Sequence, residues 1–141
     1  MTFNHVLFLT TSPAYPKGMS YLCDVLEQTD AQFVDIIHTD TVLFARLPSV
    51  ARGHVDFFPN GGHGQPGCYY PSCSHSRAFD LFSTSLLNVC RFRTNCHSDT
   101  FHCVENVRMG FYAVETPTAR GNYYISTSGS YPYCFDLKPQ E

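Results

Sequence analysis

The sequence predicts an α/β fold of about five strands and one clear helix. Three observations predict it. Short β-branched and aromatic runs closed by turn residues recur along the chain. A single stretch with helical apolar spacing lies between the early and the late runs. The chain is 43% hydrophobic and 15% aromatic but only 15% charged, so it has a core to bury and is not a disordered chain.

Phe3–Leu9 is expected to be a buried strand, ended by Thr10-Thr11-Ser12-Pro13. Phe33–Thr39 (FVDIIHT) is a second. Its apolar residues are nearly continuous, as in strands covered on both faces. His54–Phe58 (HVDFF) is a third, closed by the turn signal Pro59-Asn60-Gly61-Gly62. From Ser74 the period changes: Ala78, Leu81, Phe82 and Leu86 fall at helical spacing, with Ser74 or Ser76 available as a cap. Val89–Val104 reads as a polar loop carrying three cysteines. Met109–Val114 and Asn122–Thr127 read as late strands, and Lys138–Glu141 as a frayed tail after a single domain over residues 1–137.

Length and charge narrow the function. A chain of 141 residues has room for one domain. A net charge of −3 supplies no attraction to nucleic acid or anionic membrane. Arg46, Arg52, Arg91, Arg93 and Arg108 are scattered rather than clustered, which argues against a nucleic-acid partner. No apolar run approaches the roughly 18 residues of a transmembrane segment.

Seven cysteines, Cys23, Cys68, Cys73, Cys90, Cys96, Cys103 and Cys134, suggest a disulfide framework and an oxidising destination. The odd count leaves one thiol over, or places its partner outside this chain. The N-terminus has no basic region and too short an apolar run for a secretion signal, so a truncated chain is expected. A zinc site built from Cys68, Cys73, His75, Cys90, Cys96, His97, His102 and Cys103 is the rival reading. No C-x₂-C pair occurs, the spacings fit no common zinc module, and neither metal nor cofactor is expected.

Five motifs in order carry a family resemblance. They are Val34-Asp35-Ile36-Ile37-His38-Thr39-Asp40, then Gly53 through Gly62 (GHVDFFPNGG), then Gln65-Pro66-Gly67-Cys68 with Cys73-Ser74-His75-Ser76-Arg77-Ala78. Arg108-Met109-Gly110-Phe111-Tyr112-Ala113 and Ala119-Arg120-Gly121-Asn122-Tyr123-Tyr124 complete the series. Together they resemble the pancreatic-lipase family of α/β-hydrolases, particularly its insect phospholipase A1-type branch. The resemblance covers most of the chain and implies the C-terminal part of an α/β-hydrolase sheet, an incomplete domain. It also implies a secreted carboxylic-ester hydrolase acting on glycerolipids.

The resemblance makes His75 the catalytic base. The competing reading is an ordinary histidine sharing an apolar helix face with Phe79, Phe82 and Leu86. The family's acid falls at Ser12, where a hydroxyl can accept the imidazole N–H but cannot supply the charge that stabilises imidazolium. No G-x-S-x-G nucleophile elbow occurs in these residues. The chain alone is therefore expected to be inactive, and a non-catalytic lipid-binding relative, like the yolk proteins on this fold, is the alternative. Asp40, at the end of the next strand, could orient His75 instead. The H-T-D segment is part of the ordinary family pattern, which argues against that role.

The same resemblance pairs Cys68 with Cys73 as a clamp on a lid reduced to Tyr69-Tyr70-Pro71-Ser72, and pairs Cys96 with Cys103. Cys23–Cys90 is the remaining expected bridge. A short lid leaves the cleft mouth open. It also leaves Tyr69 and Tyr70 either at a lipid–water boundary as amphipathic rings or packed on the domain's own surface.

Overall fold

The computed structural model describes residues 5–9, 28–41, 53–96 and 104–139. Five strands form one sheet in the order β1-β2-β3-β5-β4: β1 (His5–Leu9), β2 (Phe33–Ile37), β3 (Val55–Pro59), β4 (Asn95–Cys96) and β5 (Gly121–Ile125). β1, β2, β3 and β5 run parallel, with Asp35 opposite Val55 and Phe57 opposite Tyr123. β4 pairs antiparallel with β5. A mixed sheet with one long helix is the α/β arrangement the sequence predicts.

Every residue of β2 and β3 is buried, so the continuous apolar run does report a strand covered on both faces. On one face Phe33, Ile37, Val55, Phe57 and Tyr123 pack with Ala78 and Leu81 of the helix and with Phe92, Val107 and Met109. The other face carries a polar pair within an aromatic stack. His38 Nε2 lies 2.7 Å from Asp56 Oδ1, both buried. The His38 ring stacks on Phe58 at 4.6 Å, and Phe58 on Tyr124 at 5.4 Å. Two ionisable groups in the middle of a sheet are tolerable only when each satisfies the other.

The helix α1 spans Pro71–Leu86, three residues earlier than Ser74 suggests. Proline supplies a pre-set φ at the first helical position, and neither expected serine caps the start. Ser74 Oγ instead accepts the Gln65 N–H at 2.9 Å. Its buried face is Ser74, Arg77, Ala78, Leu81, Thr84 and Ser85, mostly small side chains that let the helix approach closely. The expected apolar face is only half correct. Ala78 and Leu81 are buried, whereas Phe79 is 63% and Leu86 48% exposed.

Three other expectations are corrected. Met109–Val114 is not a strand; Phe111–Glu115 forms a 3₁₀ turn. Gly110 adopts φ 88° beside Ser85, where a Cβ would collide with the serine side chain, and that left-handed step ends the extended chain. The loop 89–104 contains β4, too short to carry a periodic signal. Lys138 is not frayed: its N–H donates to Val89 O at 2.9 Å, and its ammonium donates to Asn88 Oδ1.

Cys90 is bonded to Cys134, so the Cys23–Cys90 bridge is not formed. Burial of Cys90 beneath the 131–134 turn brings Cys134 to it across a sequence separation of 44. Cys23 lies outside the described residues.

His54 precedes β3 and accepts the Val34 N–H on Nδ1 at 3.0 Å. Partial burial, and then the Arg120 charge, hold its pKa below the usual 6.5. The unfolded chain therefore binds more protons in acid, and stability falls as pH drops from about 6.5 through the lower folded value. Urea midpoints measured at pH 7.5 and 5.5 are expected to differ more for the wild type than for His54→Asn. Burial alone separates Phe57 from Phe79: Phe57→Ala should cost about 3–5 kcal/mol in urea unfolding and Phe79→Ala less than about 0.5.

Candidate active site

In a sheet of parallel strands the loops that follow the strands gather at their C-terminal ends, where α/β proteins build their sites. Here those loops are Thr39–Thr41 after β2, Asn60–Tyr70 after β3 and Ser126–Ser128 after β5. Left-handed Asn60, Gly61 and Gly62 turn the chain back sharply after β3. Thr41 N–H and Thr41 Oγ1 then both donate to Gly62 O, at 2.8 and 2.9 Å.

The junction is organised by Gln65, 2% exposed. Its Nε2 donates to Thr39 O, Pro59 O and His63 O at 3.2, 2.9 and 2.6 Å. Its Oε1 accepts from Asn60 Nδ2 at 2.8 Å, and its own N–H donates to Ser74 Oγ. Asn60 extends the network to β5: Thr127 N–H donates to Asn60 Oδ1 at 2.9 Å. Buried Gln65 and half-buried Asn60 thus join three strand ends to the first turns of α1.

Beside this junction is a cleft of about 300 Å³ lined by Asp40, Gly64, Cys68, Tyr69, Tyr70, Pro71 and Ser74. Cys68 and Cys73 are joined by a disulfide of 2.05 Å that closes the loop carrying Tyr69 and Tyr70. Tyr69 is 93% and Tyr70 65% exposed. Asp40 is buried at the cleft wall. His75 follows Ser74 on α1, half-buried, and its carbonyl accepts Thr39 Oγ1 at 3.2 Å. Asp40, the Cys68–Cys73 loop and the His75 turn of the helix thus meet at one end of the sheet. Ser12 lies outside the described residues.

Other sequence-predicted groups behave as follows. Cys68, Cys73 and Cys90 are in disulfides, so their thiolates are not available to zinc. Among the described residues no cluster of His, Cys, Asp and Glu could hold a metal ion, and no helix is long and apolar enough to cross a membrane. Cys96 is also disulfide-bonded; its expected partner Cys103 lies outside the described residues. Sequence reasoning missed Gln65 and the His38–Asp56 pair. An Asp and a His inside otherwise apolar runs was the available signal for the pair, because buried charge requires a partner.

A parallel sheet with its cleft at the strand ends, flanked by a histidine-bearing helix, is the architecture of the α/β-hydrolase class. Comparison with known proteins narrows this. The family model described as Lipase matches residues 12–133. Phospholipase A1 4 of Polistes dominula is 33% identical over 137 residues, covering 86% of this chain and 40% of that protein. Phospholipase A1 member A of Rattus norvegicus is 33% identical, covering 84% and 32%. Pancreatic lipase-related protein 2 of Mus musculus is 30% identical, covering 74% and 30%. The chain belongs to the lipase family, and it spans between about a third and two-fifths of the length of the phospholipases A1 it matches.

Removing the Gln65 carboxamide would leave three inward-facing carbonyls without this donor. Gln65→Leu is expected to cost about 2–4 kcal/mol in urea unfolding. It should also accelerate amide exchange at Thr127, whose acceptor Asn60 loses its anchor.

Proposed function

We infer that this chain is the base-bearing part of a glycerolipid carboxylic-ester hydrolase of the phospholipase A1 type. His75 is the base of the triad. The observation that carries this reading is the tether between Thr39 Oγ1 and the His75 carbonyl, which holds the histidine turn of α1 at the strand ends beside the cleft. In the complete enzyme a serine from an upstream G-x-S-x-G segment attacks the ester carbonyl. His75 takes the serine proton and returns it to the departing alcohol, and water then releases the acyl group. The chain by itself holds no such elbow, and Ser12 stands at the position of the acid. A neutral side chain there lowers turnover by about 10⁴-fold in a serine protease. The chain alone is therefore inert.

Family membership and the disulfides Cys68–Cys73 and Cys90–Cys134 support an extracellular location. The exposed rings of Tyr69 and Tyr70 are suited to peripheral contact with a phospholipid surface. A second reading, a non-catalytic lipid-binding relative, is favoured by Ser12 alone. Asp40, buried at the cleft wall, is the alternative acid.

Two measurements test these readings. The expressed chain and its His75→Ala variant should both show no hydrolysis of a p-nitrophenyl ester or of phosphatidylcholine above the blank. Hydrolysis that His75→Ala abolishes would overturn the inertness. Joined to an upstream segment bearing G-x-S-x-G, the chain should gain activity that His75→Ala removes. Absence of activity there, with retained vesicle binding, favours the non-catalytic relative. In that joined protein, Asp40→Asn should leave turnover unchanged unless Asp40 is the acid.

A further inference from the structure

The cleft wall formed by residues 68–73 is closed by a bond that can be broken without touching the core. Cys68 and Cys73 are both half-buried, and Tyr69 between them projects into solvent, so a small thiolate can reach the disulfide. Cys90 and Cys134, by contrast, are core residues at 0% and 8% exposure. The short bridge closes a sequence separation of only 5, against 44 for the core bridge. In the chain-entropy account its loss removes much less constraint from the unfolded state.

The two sulfurs of the short bridge are not equivalent. Arg77, itself 5% exposed, places Nη2 3.4 Å from Cys68 Sγ. The guanidinium is held there from three directions. Nη1 donates to Pro66 O at 3.0 Å. Nε faces the Asp80 carboxylate at 3.4 Å. The Tyr133 ring lies under the group, 4.6 Å from its centre. Gly67 in left-handed backbone brings the segment against Gly129, where any side chain would collide, and so fixes Cys68 beside Arg77. A cation pinned at a sulfur and largely out of water stabilises the thiolate, and a stabilised thiolate is the better leaving group in exchange.

We propose that Cys68–Cys73 is a thiol-exchange site in which Cys73 is the attacked sulfur and Cys68, held by Arg77, is the leaving thiolate. The reagent is a small dithiol. Its first thiolate attacks Cys73 Sγ, the Cys68–Cys73 bond breaks, and the electron pair leaves on Cys68. Its second thiolate attacks the reagent sulfur of the mixed disulfide, releasing Cys73 as a thiolate that takes a proton from water. The protein disulfide gains two electrons and the dithiol becomes a cyclic disulfide. Tyr69, Tyr70 and Pro71 line the cleft with Asp40 and Ser74, so opening the bridge frees one wall of the cleft. The proposal stands independently of any hydrolytic activity.

The test is reduction of the folded chain by limiting dithiothreitol, quenched by alkylation and mapped by peptide mass spectrometry. Cys68 and Cys73 should be labelled at least about tenfold faster than Cys90 and Cys134. With glutathione, the trapped adduct should be on Cys73. Arg77→Gln should slow exchange at the short bridge by about tenfold, with Arg77→Lys intermediate. Asp80→Asn removes a neutralising carboxylate at the surface and should speed exchange by about twofold; it serves as the test if Arg77→Gln fails to fold. After reduction, amides of Cys68 and Cys73, which now donate to Gln65 O and Tyr70 O, should exchange faster while that of Met109 does not. Equal reduction of both bridges, an adduct on Cys68, an unchanged rate in Asp80→Asn or loss of Met109 protection would each overturn the proposal.

Discussion

Gln65 brings a primary amide into a place where water does not reach, and the chain around it is arranged to answer every polar atom it carries. Its donors go to Thr39, Pro59 and His63, and its acceptor receives Asn60. In a low-dielectric setting such a network allows few alternative geometries, because each alternative strands a polar group. The consequences run outward. The ends of β2 and β3 are held at fixed separation, β5 joins through Asn60 and Thr127, and α1 joins through Ser74. The helix is thereby placed by hydrogen bonds as much as by apolar fit. The tether from Thr39 to the His75 carbonyl is meaningful only because both of its ends are already held.

The sheet beneath obeys a parallel constraint. Its two central strands are buried on both faces, yet they include His38, Asp35 and Asp56 in or next to their runs. The His38–Asp56 contact, stacked against Phe58 and Tyr124, makes that burial affordable. Membership of the lipase family explains why this arrangement terminates in a cleft at the strand ends. The chain spans between about a third and two-fifths of the length of the phospholipases A1 it matches.

What could be read from sequence depended on whether the signal was local. FVDIIHT and HVDFF were legible as strands because dense apolar runs bounded by turn residues leave few other choices. The region of α1 was legible from its period, but its start was not, since the Ser74 hydroxyl serves the Gln65 N–H rather than the helix. Met109–Val114 misled because its β-branched and aromatic residues hide a left-handed Gly110. Cys90–Cys134 was beyond reach because pairing depends on which turns pack together. In the site, His75 and the Cys68–Cys73 bridge belong to short motifs. Gln65 stands in the Gln65-Pro66-Gly67-Cys68 motif, but the motif does not disclose its role, because its partners are spread from Thr39 to Ser74.

The bridge between Cys68 and Cys73 has one further consequence. Its two Cα atoms are 5.4 Å apart, and the residues it encloses point outward from a junction fixed by other bonds. Both ends of that segment therefore meet the same boundary whatever lies between them. An insert between Cys68 and Pro71, ahead of the first turn of α1, would leave the sheet and the Gln65 network as they are. The length of the segment between Cys68 and Pro71 is therefore set independently of the sheet below, and it alone decides how much of the cleft mouth is covered.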